Sequence, residues 1–201
     1  MCGGLISVGL ALNDLMAADK ANQVSAYMTF RSSKLSENET FRFEPPSQAI
    51  AGMKIAFIGT GSSASASELV MNSSPPYLGN QVALVGSNTY GKPVGQIAED
   101  LTACDDRLRI SAFKLETADH EGEYYTGLAS TMPVTCKASD DIGHQFGDPA
   151  ETMIATSLSW LGGASCTAIA GGGQTTQGVS QRGLLQPERA NAAQHEIPGL
   201  F

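Results

Sequence analysis

Residues 54–96 read KIAFIGTGSSASASELVMNSSPPYLGNQVALVGSNTYGKPVGQ. The run 54–59 is apolar and of strand length, and a Gly/Ser turn follows it. Residues 65–73 then fit a short helix, Pro75-Pro76 a stop, and residues 82–86 (VALVG) a second buried strand. Two strands of this kind separated by a helix form a βαβ unit. Such units are parallel with a right-handed crossover, so the segments that follow the two strands emerge at the same edge of the sheet. That edge is where sites form in α/β folds, and α/β is the fold class expected here.

Outward from this unit, residues 23–30 (QVSAYMTF) read as a strand, and 31–48, rich in Ser, Glu, Asn and Pro, as a surface loop. Downstream, 109–115 and 122–127 read as strands or hairpin arms. Residues 149–161 read as an amphipathic helix with Asp148 as cap and Pro149 at its first position. Near the start, Leu5, Val8, Leu12 and Leu15 with Met16 recur at helical spacing, which predicts a core helix that buries that stripe and leaves Asn13, Asp14 and Asp19 to water. Residues 1–166 are expected to form one globular core. Residues 167–201, Gly-, Gln- and Ala-rich with few large apolar groups, are expected to form a flexible tail.

Composition narrows the function. With 201 residues and 42% apolar content the chain can bury one real core. A net charge of −8 argues against a nucleic-acid partner, which calls for concentrated Lys and Arg. The apolar start has no basic residue before it, is interrupted by Asp14 and is too short to span a bilayer, so no membrane partner is expected. Cys2, Cys104, Cys136 and Cys166 lack the paired spacing of a zinc site, so neither a metal nor another cofactor is implied. They allow three full disulfide connectivities, among which sequence does not choose.

Two short motifs flank the βαβ unit: GSSASASE at 61–68, and Thr89-Tyr90-Gly91-Lys92 with Gln96 four residues on. A dinucleotide site fits the GxGxxG/A pattern of residues 59–64 but lacks an acidic residue at the end of the second strand, and a phosphate loop would need Gly-Lys-Ser/Thr. Ser65-Ala66-Ser67-Glu68 is also a capping box, in which Ser65 caps a helix and Glu68 reaches back to its backbone. The chemical alternative makes Ser65 a nucleophile at a helix start, where backbone N–H groups favour a developing oxyanion. It then needs a base. His120 and His144 lie in polar loops and His195 in the tail, whereas Lys92 follows the second strand on the shared edge, in an apolar setting where desolvation favours a neutral amine. Gln96 could orient that amine without adding charge.

The pair of motifs resembles those of the carboxyl-terminal processing peptidases, or tail-specific proteases, whose fold belongs to the ClpP/crotonase-like group. The resemblance implies that Ser65 is the nucleophile, Lys92 the base and Gln96 its support. Cys2-Gly3-Gly4-Leu5 looks like the end of the family's Asn-x-Gly-Gly segment, which implies an oxyanion hole built from Ala66 with Gly3 and Gly4. It also implies that the core is partial, with an upstream strand and an accessory domain outside this chain, and that the location is periplasmic or extracellular.

The expected function is hydrolysis of a peptide by a Ser-Lys dyad through an acyl-enzyme. Two alternatives stay open: an esterase acting on small esters with the same dyad, and a non-catalytic crotonase-like binding module. An exposed sheet edge near the start makes a homo-oligomer a possible assembly.

Overall fold

The protein is described by a computed structural model that covers residues 3–170 apart from 52, 102, 105 and 146. In chain order the elements are α1 (Ile6–Leu15), β1 (Val24–Phe30), β2 (Glu39–Arg42), β3 (Ile55–Gly59), α2 (Ala66–Asn72) and α3 (Pro75–Leu78). These are followed by β4 (Val82–Gly86), β5 (Val94–Leu101), β6 (Asp106–Glu116), β7 (Val134–Lys137) and α4 (Thr152–Leu161).

The βαβ unit is present as expected. β3 and β4 pair in parallel from Ile55↔Val82 to Gly59↔Gly86, and β7 adds to the other side of β4, also in parallel. All five residues of β4 are buried, as a central strand covered on both faces requires. A second sheet, antiparallel where its strands pair, has the order β2-β1-β6-β5. Helix α2 lies between the sheets, with all seven residues buried. Its Leu69 packs with Ala26, Phe113 and Leu115 of the four-stranded sheet, and its Met71 with Val82, Leu84 and Tyr124 on the other side. Helix α4 covers the far face of the parallel sheet, where Trp160 packs with Ala83, Val85 and Cys136. Burying both faces of a seven-residue helix fixes its N-terminus, which is where the site lies.

Five expectations change. The apolar stripe of α1 is turned outward: Leu5 is 61% and Val8 65% exposed, while Asn13 is 2% exposed and its Nδ2 donates to Ser25 Oγ. Ile6, Gly9, Leu10 and Asn13 face inward instead. Gly9 decides the register, because a side chain there would meet Ala66 O at 3.2 Å and Val70 Cγ2 at 3.4 Å, so α1 approaches α2 closely through its glycine. The stretch 31–48 contains a 3-10 turn (Ser32–Glu37) and β2, a short edge strand paired to β1. Pro75 opens α3 rather than ending a helix, using the first-turn position where its missing N–H costs nothing. Residues 122–127 form no strand; Tyr124 is inserted into the core instead. Helix α4 starts three residues later than expected, capped by Glu151, whose carboxylate accepts from Met153 N and Ile154 N, while Asp148 accepts from Ala150 N in the preceding turn.

Cys136 and Cys166 form a disulfide with a Cα–Cα distance of 5.3 Å. It ties β7 to the segment beyond α4, where Lys137 N donates to Thr167 O and Ile169 is buried in the core. Cys2 and residues 171–201 lie outside the described residues.

Candidate active site

The turn between β3 and α2 is built by its own serines and threonine. Ser63, buried, accepts from Thr60 N at its Oγ, and Ser63 N donates to Thr60 O at 2.8 Å. This folds residues 60–64 into a tight loop and leaves Ser65 to make the corner into the helix, with φ 54° and ψ −121°. Such a conformation costs a non-glycine residue about 1–3 kcal/mol and persists only where its surroundings hold it.

Three partners hold Ser65. Glu68 completes the capping box, with Ser65 N donating to Glu68 Oε2 at 3.0 Å. Leu69 N donates to Ser65 O at 2.9 Å. Gly3, with φ +100°, lies against Ser65: a side chain on Gly3 would come within 3.3 Å of Ser65 Cβ and 3.2 Å of Ala64 O. Gly4 also has a positive φ. The Ala66 N–H, next to Ser65, enters no hydrogen bond among the described residues.

The second motif comes to the same place. Tyr90 N donates to Ser63 O at 2.9 Å, Gly91 N to Glu68 Oε1 at 2.7 Å and Lys92 N to Glu68 Oε2 at 2.8 Å. Behind it, Asn88 Nδ2 donates to Thr126 O, Asn88 Oδ1 accepts from Ala129 N, and Thr89 Oγ1 accepts from Leu128 N. Residues 88–92 are therefore pinned between the α2 N-terminus and the 124–129 loop. Gly91 is required there, since its φ is +88° and a side chain would lie 2.5 Å from Tyr125 O.

Lys92 is half-buried in an irregular stretch just before β5. Its neighbourhood is not free of charge: the Glu68 carboxylate touches its backbone. No hydrogen bond joins Ser65 Oγ to Lys92 Nζ among the described residues. Gln96 is exposed on β5 and makes no hydrogen bond with Lys92. Tyr124 forms the buried wall beside Glu68, and burial, then the Glu68 charge, pushes its hydroxyl well above the usual tyrosine range. Ser65, Ala66, Gly3, Glu68 and Lys92 thus come together, and Gly4 adjoins them in sequence; Gln96 stays at the rim. Sequence reasoning took Glu68 for a helix cap alone. The one signal in the sequence was that Glu68 is the single charged residue of a short helix whose other residues are apolar or small and uncharged polar.

No family model and no curated protein matches the chain. Solved structures do. A Bacteroides fragilis protein described as an S41 protease superimposes with a TM-score of 0.70 at 22% identity, over 82% of this chain and 43% of that one. The fold is that of the S41 proteases. A Parabacteroides merdae protein described as a peptidase gives a TM-score of 0.53 at 14% identity, over 80% of this chain and 49% of that one. A lipoprotein from Streptococcus agalactiae gives 0.50 at 16%, over 78% and 49%. The chain therefore spans less than half the length of each of these proteins. The mixed α/β core expected from the sequence is present, and it matches part of an S41 protease-like fold.

Proposed function

We propose that the chain is a serine hydrolase that cleaves peptide bonds through an acyl-enzyme on Ser65, with Lys92 as base. The observation that carries this reading is that the amide nitrogens of Ser65 and Lys92 both lie within 3.0 Å of one carboxylate oxygen, Glu68 Oε2. Candidate nucleophile and candidate base are thereby neighbours across two loops.

In this reading Ser65 Oγ attacks the substrate carbonyl while its proton passes to the neutral Lys92 amine. The tetrahedral oxyanion accepts from the Ala66 N–H and from the Gly3 or Gly4 backbone. Lys92 then returns the proton to the departing amine, and water attacks the acyl-enzyme by the same route reversed. Likeness to structures described as a protease and a peptidase supports peptide over ester as the substrate. The Cys136–Cys166 disulfide supports a periplasmic or extracellular location, since such bonds persist in oxidising compartments. Among the described residues no helix is long and apolar enough to cross a membrane.

The test is covalent labelling with a fluorophosphonate followed by peptide mapping. The adduct is expected on Ser65, absent in Ser65→Ala, and formed roughly a hundredfold more slowly in Lys92→Ala, the scale of a lost general base. A folded wild-type protein that takes no label at Ser65 overturns the proposal.

A further inference from the structure

We infer that Glu68 is a positioning residue, a buried carboxylate clamp that fixes the Ser65 turn against the Lys92 loop through backbone N–H groups while leaving the Lys92 ammonium unpaired. The inference rests on the Ser65–Lys92 reading for its chemical meaning, though the clamp itself can be tested without it.

Glu68 is 0% exposed. A carboxylate so buried is tolerated only when its oxygens are well bonded. They are: Oε1 accepts from Gly91 N, and Oε2 from both Ser65 N and Lys92 N, at 2.7 to 3.0 Å. Charge-assisted bonds of this kind are about twice as strong as neutral ones. A helix cap needs only the Ser65 contact. The other two cross to a segment 23 and 24 residues away, and capping does not explain them.

The chemistry of the side chain separates cap from clamp. A capping box works with glutamate or glutamine, because one acceptor oxygen suffices. With N–H donors facing both oxygens, a glutamine must point its own amide hydrogens at one of them. Only a carboxylate satisfies the observed arrangement.

The clamp also answers an electrostatic problem. A carboxylate beside a lysine ordinarily pairs with the ammonium, and such a pair favours the charged form, which is no base. Here both oxygens are occupied by backbone donors, and among the described residues no ion pair includes Lys92. Glu68 holds the lysine by its backbone and leaves its amine alone. On the other side Gly91 is wedged against the backbone of Tyr125 and Gly127, so the loop cannot retreat from the carboxylate.

The experiment compares the full chain with Glu68→Gln, Glu68→Asp and a stability control, Met28→Ala, whose side chain packs in the four-stranded sheet. Three quantities are read: amide hydrogen exchange at Gly91 and Lys92, the fluorophosphonate labelling rate against pH, and the thermal midpoint. The clamp requires that both amides be protected in the wild type. In Glu68→Gln they should exchange roughly tenfold faster or more, and labelling should slow by a similar factor, as loss of charged hydrogen bonds implies. Glu68→Asp, which keeps the charge on a shorter arm, should recover part of both. Met28→Ala should lower the thermal midpoint without either effect.

Unprotected Gly91 and Lys92 amides in the wild type overturn the clamp, even where every Glu68 variant fails to fold. So does Glu68→Gln with protection intact, or with labelling at the wild-type rate. A wild type that is protected but takes no label refutes the Ser65–Lys92 reading and leaves the clamp standing.

Discussion

Replacing Gly91 by alanine isolates the tightness of the Lys92 loop. Its φ of +88° disfavours an L side chain, a cost of about 1–3 kcal/mol by itself. The added Cβ would also stand 2.5 Å from Tyr125 O and 2.6 Å from Gly127 N, distances that force a shift of main chain rather than of a pliable side chain. The 124–129 loop cannot yield, being tied by Gly127 N to Tyr124 O and by the Asn88 and Thr89 side chains. Residue 91 must therefore move, and its 2.7 Å bond to Glu68 is the first lost. Overpacking of this kind costs about 1–3 kcal/mol and a charged hydrogen bond about 1.5–3 kcal/mol, so the total is roughly 3–6 kcal/mol. Gly147→Ala is the matched control: φ is +85° and nothing lies within 4 Å of the new methyl, so only the conformational cost applies. Urea unfolding followed by fluorescence of Trp160, the single tryptophan, measures both. Gly91→Ala should unfold at roughly 1.5–3 M lower urea than Gly147→Ala for a slope of about 2 kcal/mol/M. If the two variants agree within about 0.5 kcal/mol, the loop is not wedged as described.

Reducing the Cys136–Cys166 bridge, which closes a separation of 30 residues, should cost about 3–4 kcal/mol in the same urea assay, and a loss below about 1 kcal/mol would contradict its role in holding the segment that carries Ile169. Burial opposes ionisation of Glu116, yet the Thr29 hydroxyl and the Lys114 ammonium outweigh it and hold the carboxyl below its usual range. A depressed folded value means that its contribution is present above the unfolded carboxylate pKa and is lost as pH falls through the folded one. Glu116→Gln should therefore be less stable than wild type at neutral pH, with the gap closing in acid; a gap independent of pH would refute this. On α1, Val8→Ser should change stability by less than about 0.5 kcal/mol, whereas Gly9→Val should cost about 1–3 kcal/mol by forcing α1 off α2, and the opposite ranking would restore the register read from periodicity.

The β3–α2–β4 unit was legible because its pattern is local: two apolar runs, a Gly/Ser turn and a short helix lie within 33 residues, and parallel pairing follows from chain connectivity. Helix α1 was misread because it is apolar nearly all round. Periodicity offered more than one stripe, and the one that packs contains Gly9 and Asn13, which hydrophobicity counting passes over. Strand β2 is four residues long and polar at its exposed positions, so only its pairing to β1 defines it. The aromatic pair Tyr124-Tyr125 looked like strand, but its segment serves as the back wall of the Lys92 loop, a task with no periodic signature.

The same division runs through the site. Ser65 and Glu68 are a capping box on any reading of residues 65–68, and that local motif is what the structure has. What turns a cap into a candidate active site is non-local: the one oxygen that caps the helix also accepts from Lys92. This explains how Ser65 can stand in a strained conformation. A lone cap would relax to ordinary extended backbone, but here the carboxylate must meet donors from two loops at once, Gly3 closes the space beside Ser65, and Tyr90 ties the turn from the far side. The strain is held from several sides at once, the condition under which unfavourable backbone geometry persists.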